Sequence, residues 1–445
     1  MADTLRGRPR RAPGAPGGLT PVRPPAALDA IRRHLGLIAT VATVALLVGA
    51  LRSFVLAPLS GGFSGEFEDF GAYWDAATSA SAGRSPYSTF DAGTVTMSGF
   101  IYPPFGALLA RPLALLDHHA AATLFLWIDL VCLAAAGMVL ARTLLPATWP
   151  RARIGLCAVL LFPPATYNLF HGQANPVVFL LLVVGLWTYV RGHEVRCGLL
   201  LGVAAAIKLA PAVLIVLLLR RRWWRGSAAL AGSAAAASLV GVAAMGVEAT
   251  RTWISLVLPS LGRDNGWVFN QTWDAMASRL VEHSVLRWDA SAPLLHGVAL
   301  LGAAASVGVA AWAVRPGERP GEVRGLEFGG GVAAMVLAGS IAWYAHDVHL
   351  LIPLVALLGF LAHRPRVASR AAQVTLVAAV AVLALLMPAL IAATSMPDLV
   401  ARSAGGASWW LYLQLWSLPV VVTAGLLVAC WRSAGRTGGR PDTPA

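Results

Sequence analysis

Of the 34 basic residues in this 445-residue chain a single one is lysine, and it lies inside the apolar run CGLLLGVAAAIKLAPAVLIVLLL, from Cys197 to Leu219. An ammonium near a bilayer centre costs roughly 2.5–3.5 kcal/mol on insertion scales, so a compensating group or cavity must accompany it. Lys208 is therefore read as a cation held for an anion such as a lipid phosphate, the plainer alternative being a lysine that snorkels from a helix end. A carboxylate is the second chemical group. In GEFEDFGAYWDAATSASAGRSPYSTF, residues 67–82 are expected to form a helix stopped by Gly83, with Asp69 and Tyr73 on one face at i and i+4. An acid beside an aromatic ring can take a proton from a hydroxyl; an acid in a first turn also simply suits the helix dipole.

Three further clusters are polar in otherwise apolar surroundings. TYNLFHGQANP, read as a loop, carries His171 and the amides Gln173 and Asn175, which both donate and accept and so suit sugar hydroxyls; capping before Pro176 uses the same residue types. RDNGWVFNQTWDAMASRL adds Asn270, Gln271 and Arg279, and its Asn-Gln-Thr triplet is a chance glycosylation match. WYAHDVHLLIP sets His346 and His349 at i and i+3, read as donors to a phosphate. With Asp347 alone beside them they lack a third and fourth ligand, so no metal site is expected.

The elements that must carry these groups are membrane helices. Hydrophobic residues make up 57% of the chain, charged ones 12%, and mean hydropathy is +0.68, far from soluble norms. The net charge of +13 is spread over short loops and tails, which basic cytoplasmic loops explain without a nucleic-acid partner. Cys132, Cys157, Cys197 and Cys430 all fall in or beside apolar segments, so neither disulfides nor zinc are expected.

Charge orders the spans. Residues 1–34, rich in Arg, Pro and Gly, read as a disordered cytoplasmic tail, 35–432 as the membrane domain and 433–445 as a second such tail. Spans are expected at about 36–56, 120–141, 151–167, 176–190, 226–247, 294–314, 327–345, 348–362, 371–394 and 408–431. RGHEVR (191–196) and RRRWWR (220–225) are both basic and both expected inside, yet about 23 apolar residues separate them, enough for a single crossing. Two half-helices meeting near Lys208-Leu209-Ala210-Pro211 resolve the conflict, since proline disfavours helix at the residue before it. The total is about twelve membrane helices with both termini cytoplasmic. The polar clusters then share the outer face, and FIYPPFGALLARPLALL reads as an interfacial segment whose start is shaped by Tyr102, Pro103 and Pro104. Lys208 is expected alone at depth. No internal repeat of the transporter kind is visible, although a lipid or solute transporter is the reading outside the enzyme class.

The order EDFGAYWDAA, GRSPYSTF, IYPPFGALLARPL, HGQANP, GLLLGVAAAIKLAPAVLIVLLLRRRWW, NQTWDAMASRL, WYAHDVHLLIPL resembles glycosyltransferase family 87, the polyprenyl-phosphate-mannose-dependent mannosyltransferases of actinobacterial envelopes, over residues 60–365. The resemblance implies an all-α GT-C membrane fold, its outer loops carrying interfacial helices, and an inverting transfer of mannose to a hydroxyl of a glycolipid or lipoglycan. It implies no cofactor. Asp69 matches the expected base, although EDF stands where a more aliphatic partner after the acid is expected. Lys208, His346, His349 and Arg279 are then assigned to the donor phosphate, and Tyr73, Tyr102, Gln173, Asn175, Asn270 and Gln271 to sugar or acceptor. An arabinofuranosyltransferase using polyprenyl-phospho-arabinose fits the same residues.

Overall fold

The structure, a computed structural model, describes residues 68–90, 99–261, 269–281, 293–367, 369–394 and 407–436. The described residues are helical apart from turns and one isolated bridge, Asn270 to Trp343. The expected N-terminal tail and the span at 36–56 lie outside them, and residues 433–436 continue the last helix.

The first described helix, α1 (Glu68–Ser81), ends just before Gly83, whose φ of +72° only glycine adopts freely, as its sequence predicts. Next come α2 (Pro104–Ala110) and a 3₁₀ turn (Arg111–Leu115), with Leu109 and Leu115 exposed as an interfacial segment requires. The long α3 (His118–Leu144) is capped by the Asp117 carboxylate, which accepts from Ala120 N–H at 2.9 Å. Helices α4 (Arg151–Leu161) and α5 (Pro163–His171) meet at 59°, bent at the Pro163-Pro164 pair. TYNLFH is thus helical and not the loop expected from sequence: the prolines restart a helix that Gly172, with φ of +64°, then stops.

The lysine segment folds as the charge pattern requires. After α6 (Asn175–Val190), α7 (Glu194–Ile207) rises to Lys208, which is extended at φ −138°, ψ 127°. A 3₁₀ turn (Ala210–Leu214) and α8 (Ile215–Arg220) lead back, and α9 (Trp224–Met245) rises again. Glycines establish the directions. A Cβ on Gly226 would fall 2.8 Å from Glu194 O; one on Gly198 would meet Gly226 O, and one on Gly202 would meet Leu230 O. Contacts that advance together along both helices make α7 and α9 parallel, so 208–220 must descend between them: a re-entrant pair of half-helices with Lys208 at its tip. Such close backbone approach is what small residues permit between membrane helices.

The C-terminal half adds α10 (Trp273–Val281), α11 (Pro293–Ala313), α12 (Gly321–Ala338), a 3₁₀ segment (Tyr344–Leu350), α13 (Leu351–His363), α14 (Arg370–Ala381) and α15 (Leu418–Arg436). At one end of the bundle Arg221, fully buried, pairs with Glu327 at 2.7 Å and donates to Tyr189 Oη at 2.9 Å and Gly317 O at 3.0 Å, while Arg324 donates to Val190 O at 3.1 Å. The loops expected inside therefore gather at one end. Asn175 begins α6 about 24 Å away, at 1.5 Å per residue, so the cavity described next sits at the other.

Among the described residues five helices are long and apolar enough to cross a membrane, six if the bent α4–α5 pair counts as one span, and four more apolar helices are shorter. These support a polytopic membrane protein. Lys208 is not alone at depth: Asp129, in the middle of α3, is fully buried with neither oxygen hydrogen-bonded, and Arg221 and Glu327 are buried too.

Candidate functional site

A cavity of about 400 Å³, within the roughly 300–1,000 Å³ of small-molecule sites, lies where α1, the start of α6, the Lys208 tip and the segment after α12 converge. Asp69, Tyr73, Tyr102, Gln173, Lys208, His346 and His349 all line it. Sequence stretches 280 residues apart supply one wall each.

The carboxylate is positioned by an amide. Gln173 Nε2 donates to Asp69 Oδ2 at 2.7 Å, and its Oε1 accepts from Tyr102 Oη at 3.2 Å. The αL cap at Gly172 turns the chain so that Gln173 reaches back across the cavity. Tyr73 lies one helical turn beyond Asp69, stacks on Tyr102 with ring centroids 5.3 Å apart and accepts from Ala174 N–H at 3.3 Å. Burial above all, with the Asp69 charge adding to it, raises both phenols above the ordinary tyrosine range, so they act as neutral hydroxyls.

The ammonium is positioned by a chain of amides. Lys208 Nζ donates to Asn175 Oδ1 at 2.6 Å, Asn175 Nδ2 to Asn168 Oδ1 at 2.8 Å, and Asn168 Nδ2 to Ala345 O at 2.8 Å and Pro164 O at 2.6 Å. An ammonium only donates and carbonyls only accept, so both amide orientations follow from the ends of the chain. Asn175 is the first residue of α6, not its cap, and its side chain serves the lysine. Lys208 also sits 4.5 Å from the Tyr102 ring centroid, a cation–π contact. Asn168 and Asp129 escaped the sequence reading; a polar residue inside an apolar helix was the available signal for both.

The histidines lie on the 3₁₀ segment, where i and i+3 eclipse. His346 Nδ1 accepts from Trp343 N–H at 3.1 Å, whereas His349 Nδ1 lies 2.7 Å from His346 O. All three residues line the cavity, and Trp343 Nε1 and His349 Nε2 are buried without a protein partner. Trp343 also went unnoticed in the sequence.

Asn270, Gln271 and Arg279 are not among the residues lining this cavity. Asn270 Oδ1 accepts from Ala342 N–H at 3.0 Å and Gln271 N–H donates to Ala342 O at 2.6 Å. Arg279, fully buried, donates to Asn270 O at 2.8 Å, Ser417 Oγ at 3.0 Å and Trp416 O at 3.3 Å. Asn270 and Gln271 thus hold the backbone of 340–342, and Arg279 holds Asn270 in turn.

Comparison with known proteins shows what the chain resembles. A family model, glycosyltransferase family 87, matches residues 100–340, more than half of the chain. The chain is 29% identical over 367 residues to a polyprenol-phosphate-mannose-dependent alpha-(1-2)-phosphatidylinositol mannoside mannosyltransferase of Mycobacterium tuberculosis, covering 78% of this chain and 81% of that one. It is 27% identical over 266 residues to a polyprenol-phosphate-mannose-dependent alpha-(1-2)-phosphatidylinositol pentamannoside mannosyltransferase of the same species, covering 58% and 57% of the two chains. The enzyme with the same description from Mycolicibacterium smegmatis is 28% identical over 284 residues, covering 62% and 64%.

Proposed function

Since the chain belongs to glycosyltransferase family 87, we propose that its cavity transfers mannose from polyprenyl-phosphate-mannose to a hydroxyl of a phosphatidylinositol-mannoside-like acceptor, with inversion, at the outer face of the plasma membrane. The observation that carries this reading is the pairing, in one cavity, of a carboxylate held by Gln173 with an ammonium held by Asn175. Asp69 takes the proton of the acceptor hydroxyl as its oxygen attacks the anomeric carbon from the face opposite the phosphate. The carbon–oxygen bond to the lipid phosphate breaks, and the charge left on that oxygen develops beside Lys208, with His346 and His349 closing the same wall. A β-linked donor would give an α-glycoside, in keeping with the alpha-(1-2) linkage named for the relatives. Tyr73 and Tyr102 offer a stacking wall to the sugar, while Asn270 and Gln271, with Arg279 behind Asn270, brace the 340–342 segment.

Purified protein in nanodiscs, given radiolabelled polyprenyl-phosphate-mannose and mannosylated phosphatidylinositol, should mannosylate the acceptor. Asp69→Asn should lose roughly 10²–10⁴-fold in turnover while eluting as the wild type does. Near-full activity of that variant would remove Asp69 from its role. Transfer from polyprenyl-phospho-arabinose alone would keep the mechanism and change the sugar.

A further inference from the structure

The two histidines that line the cavity differ in which ring nitrogen carries the hydrogen. His349 Nδ1 faces the carbonyl of His346 at 2.7 Å, and a carbonyl oxygen only accepts, so this nitrogen carries the ring's hydrogen. His346 Nδ1 takes a hydrogen from Trp343 N–H at 3.1 Å, so it is bare. A neutral imidazole has one N–H. His346 therefore carries its hydrogen on Nε2, His349 has a bare Nε2, and both residues line the cavity. His349 is 3% exposed, its ring packs edge-on against Phe179 at 6.3 Å, and its Nε2 has no partner in the protein.

A bare nitrogen needs a hydrogen from the ligand. In a polyprenyl phosphate sugar the phosphate is a diester, with acceptor oxygens and no O–H. Facing it, His349 would set a lone pair against lone pairs. Lys208, His346 Nε2–H and Trp343 Nε1–H are all donors on the same cavity and suit that phosphate. The hydrogens available to His349 belong to the carbohydrate.

We propose that His349 is a specificity residue that accepts a hydrogen bond from a sugar hydroxyl through Nε2, leaving the phosphate to Lys208, His346 and Trp343. This rests on the polyprenyl-phosphate-sugar reading of the site. It separates two histidines that their sequence spacing treats alike.

Two measurements test it. The first needs no turnover: in full-length protein with ¹⁵N-labelled histidine, assigned by comparison with His349→Phe and His346→Phe, the His349 spectrum should show Nε2 without hydrogen and the His346 spectrum Nδ1 without hydrogen. Hydrogen on His349 Nε2, as the other tautomer or the imidazolium, overturns the proposal whatever the protein transfers. The second compares kcat/KM across monodeoxy donors and monodeoxy acceptors. In the wild type one missing hydroxyl should cost roughly 10- to 100-fold, the range of a buried group left unpaired. His349→Phe should lose that penalty for the same analogue, and His349→Gln, which returns an acceptor oxygen, should restore part of it. The position of the analogue tells whether the hydroxyl is the donor's or the acceptor's. A uniform loss in His349→Phe with the deoxy penalties intact overturns the proposal. If the wild type transfers no sugar from any polyprenyl phosphate, the functional reading fails and the tautomer result still stands on its own.

Discussion

Lys208 is anchored by a neutral amide where a buried cation would ordinarily meet a carboxylate. Asn175 Oδ1 at 2.6 Å satisfies one donor without cancelling the charge, which on the proposed mechanism leaves the ammonium its pull for an incoming phosphate. Asn175→Asp should therefore weaken donor binding more than it slows the bound complex, raising KM about 10- to 100-fold, the size of about 1.5–3 kcal/mol in a charged hydrogen bond. Donor titration of turnover checks this; an unchanged KM would mean that Lys208 does not face the phosphate. Lys208→Met should instead suppress turnover while membrane expression holds, and loss of expression would make the lysine structural. At this scale the sequence was legible where chemistry is rare in its surroundings, as a single lysine and an acid on a helix face are. It was not legible where a polar side chain works through another: Asn168 carries no reactive group, and only the fold brings it within 2.8 Å of both Asn175 and Ala345 O. Arg279 looked like an anion ligand for its charge, yet its guanidinium is bonded to Asn270, Trp416 and Ser417, contacts that no local pattern announces.

The re-entrant pair was legible because two constraints conflicted, charge demanding two crossings and length allowing one. The packing that holds it was not, since glycines are frequent throughout an apolar chain and their partners are distant. Gly198 lies in α7 where any Cβ would press on the backbone of α9 at Gly226. Gly232, in α9 itself, has nothing within 4 Å of a built Cβ. The two positions make a matched experiment. Gly198→Ala should push the half-helices off α9 and cut folded yield and activity together, because only a backbone shift relieves the clash. Gly232→Ala should be neutral or stabilising by about 0.5–1 kcal/mol, the cost of glycine in a helix interior. Thermal unfolding of the two variants in one detergent reads the difference. Equal behaviour would show that α7 and α9 do not touch at Gly198.

The molecule as a whole has two polar ends with different tasks. At the end away from the cavity, Glu327 is fully buried with Arg221 at 2.7 Å, whereas the nearby Arg364–Glu322 pair, at 3.1 Å, is partly exposed. Removing one member of a buried pair strands the other, so Glu327→Gln should cost about 3–5 kcal/mol, against about 0–1 kcal/mol for Glu322→Gln. Melting curves should separate the two clearly, and similar shifts would mean that water reaches Glu327. The proposal that this end faces the cell interior rests on charge. The loops around 191–196, 220–225 and 315–324 are arginine-rich and meet there, and basic loops stay cytoplasmic. On the proposed orientation the cavity, an α6 length of about 24 Å away, opens toward the outer leaflet, where a lipid-linked donor would approach it sideways. Cysteines at exposed positions make this measurable, because Cys157, Cys197 and Cys430 are buried and Cys132 can be replaced by serine. Ala82→Cys, just past α1, should react in intact cells with an impermeant thiol reagent, and Arg225→Cys only after permeabilisation. Labelling in the opposite order would turn the protein over. The donor would then have to enter from the cytoplasmic leaflet, and the basic loops would face outward against the charge rule.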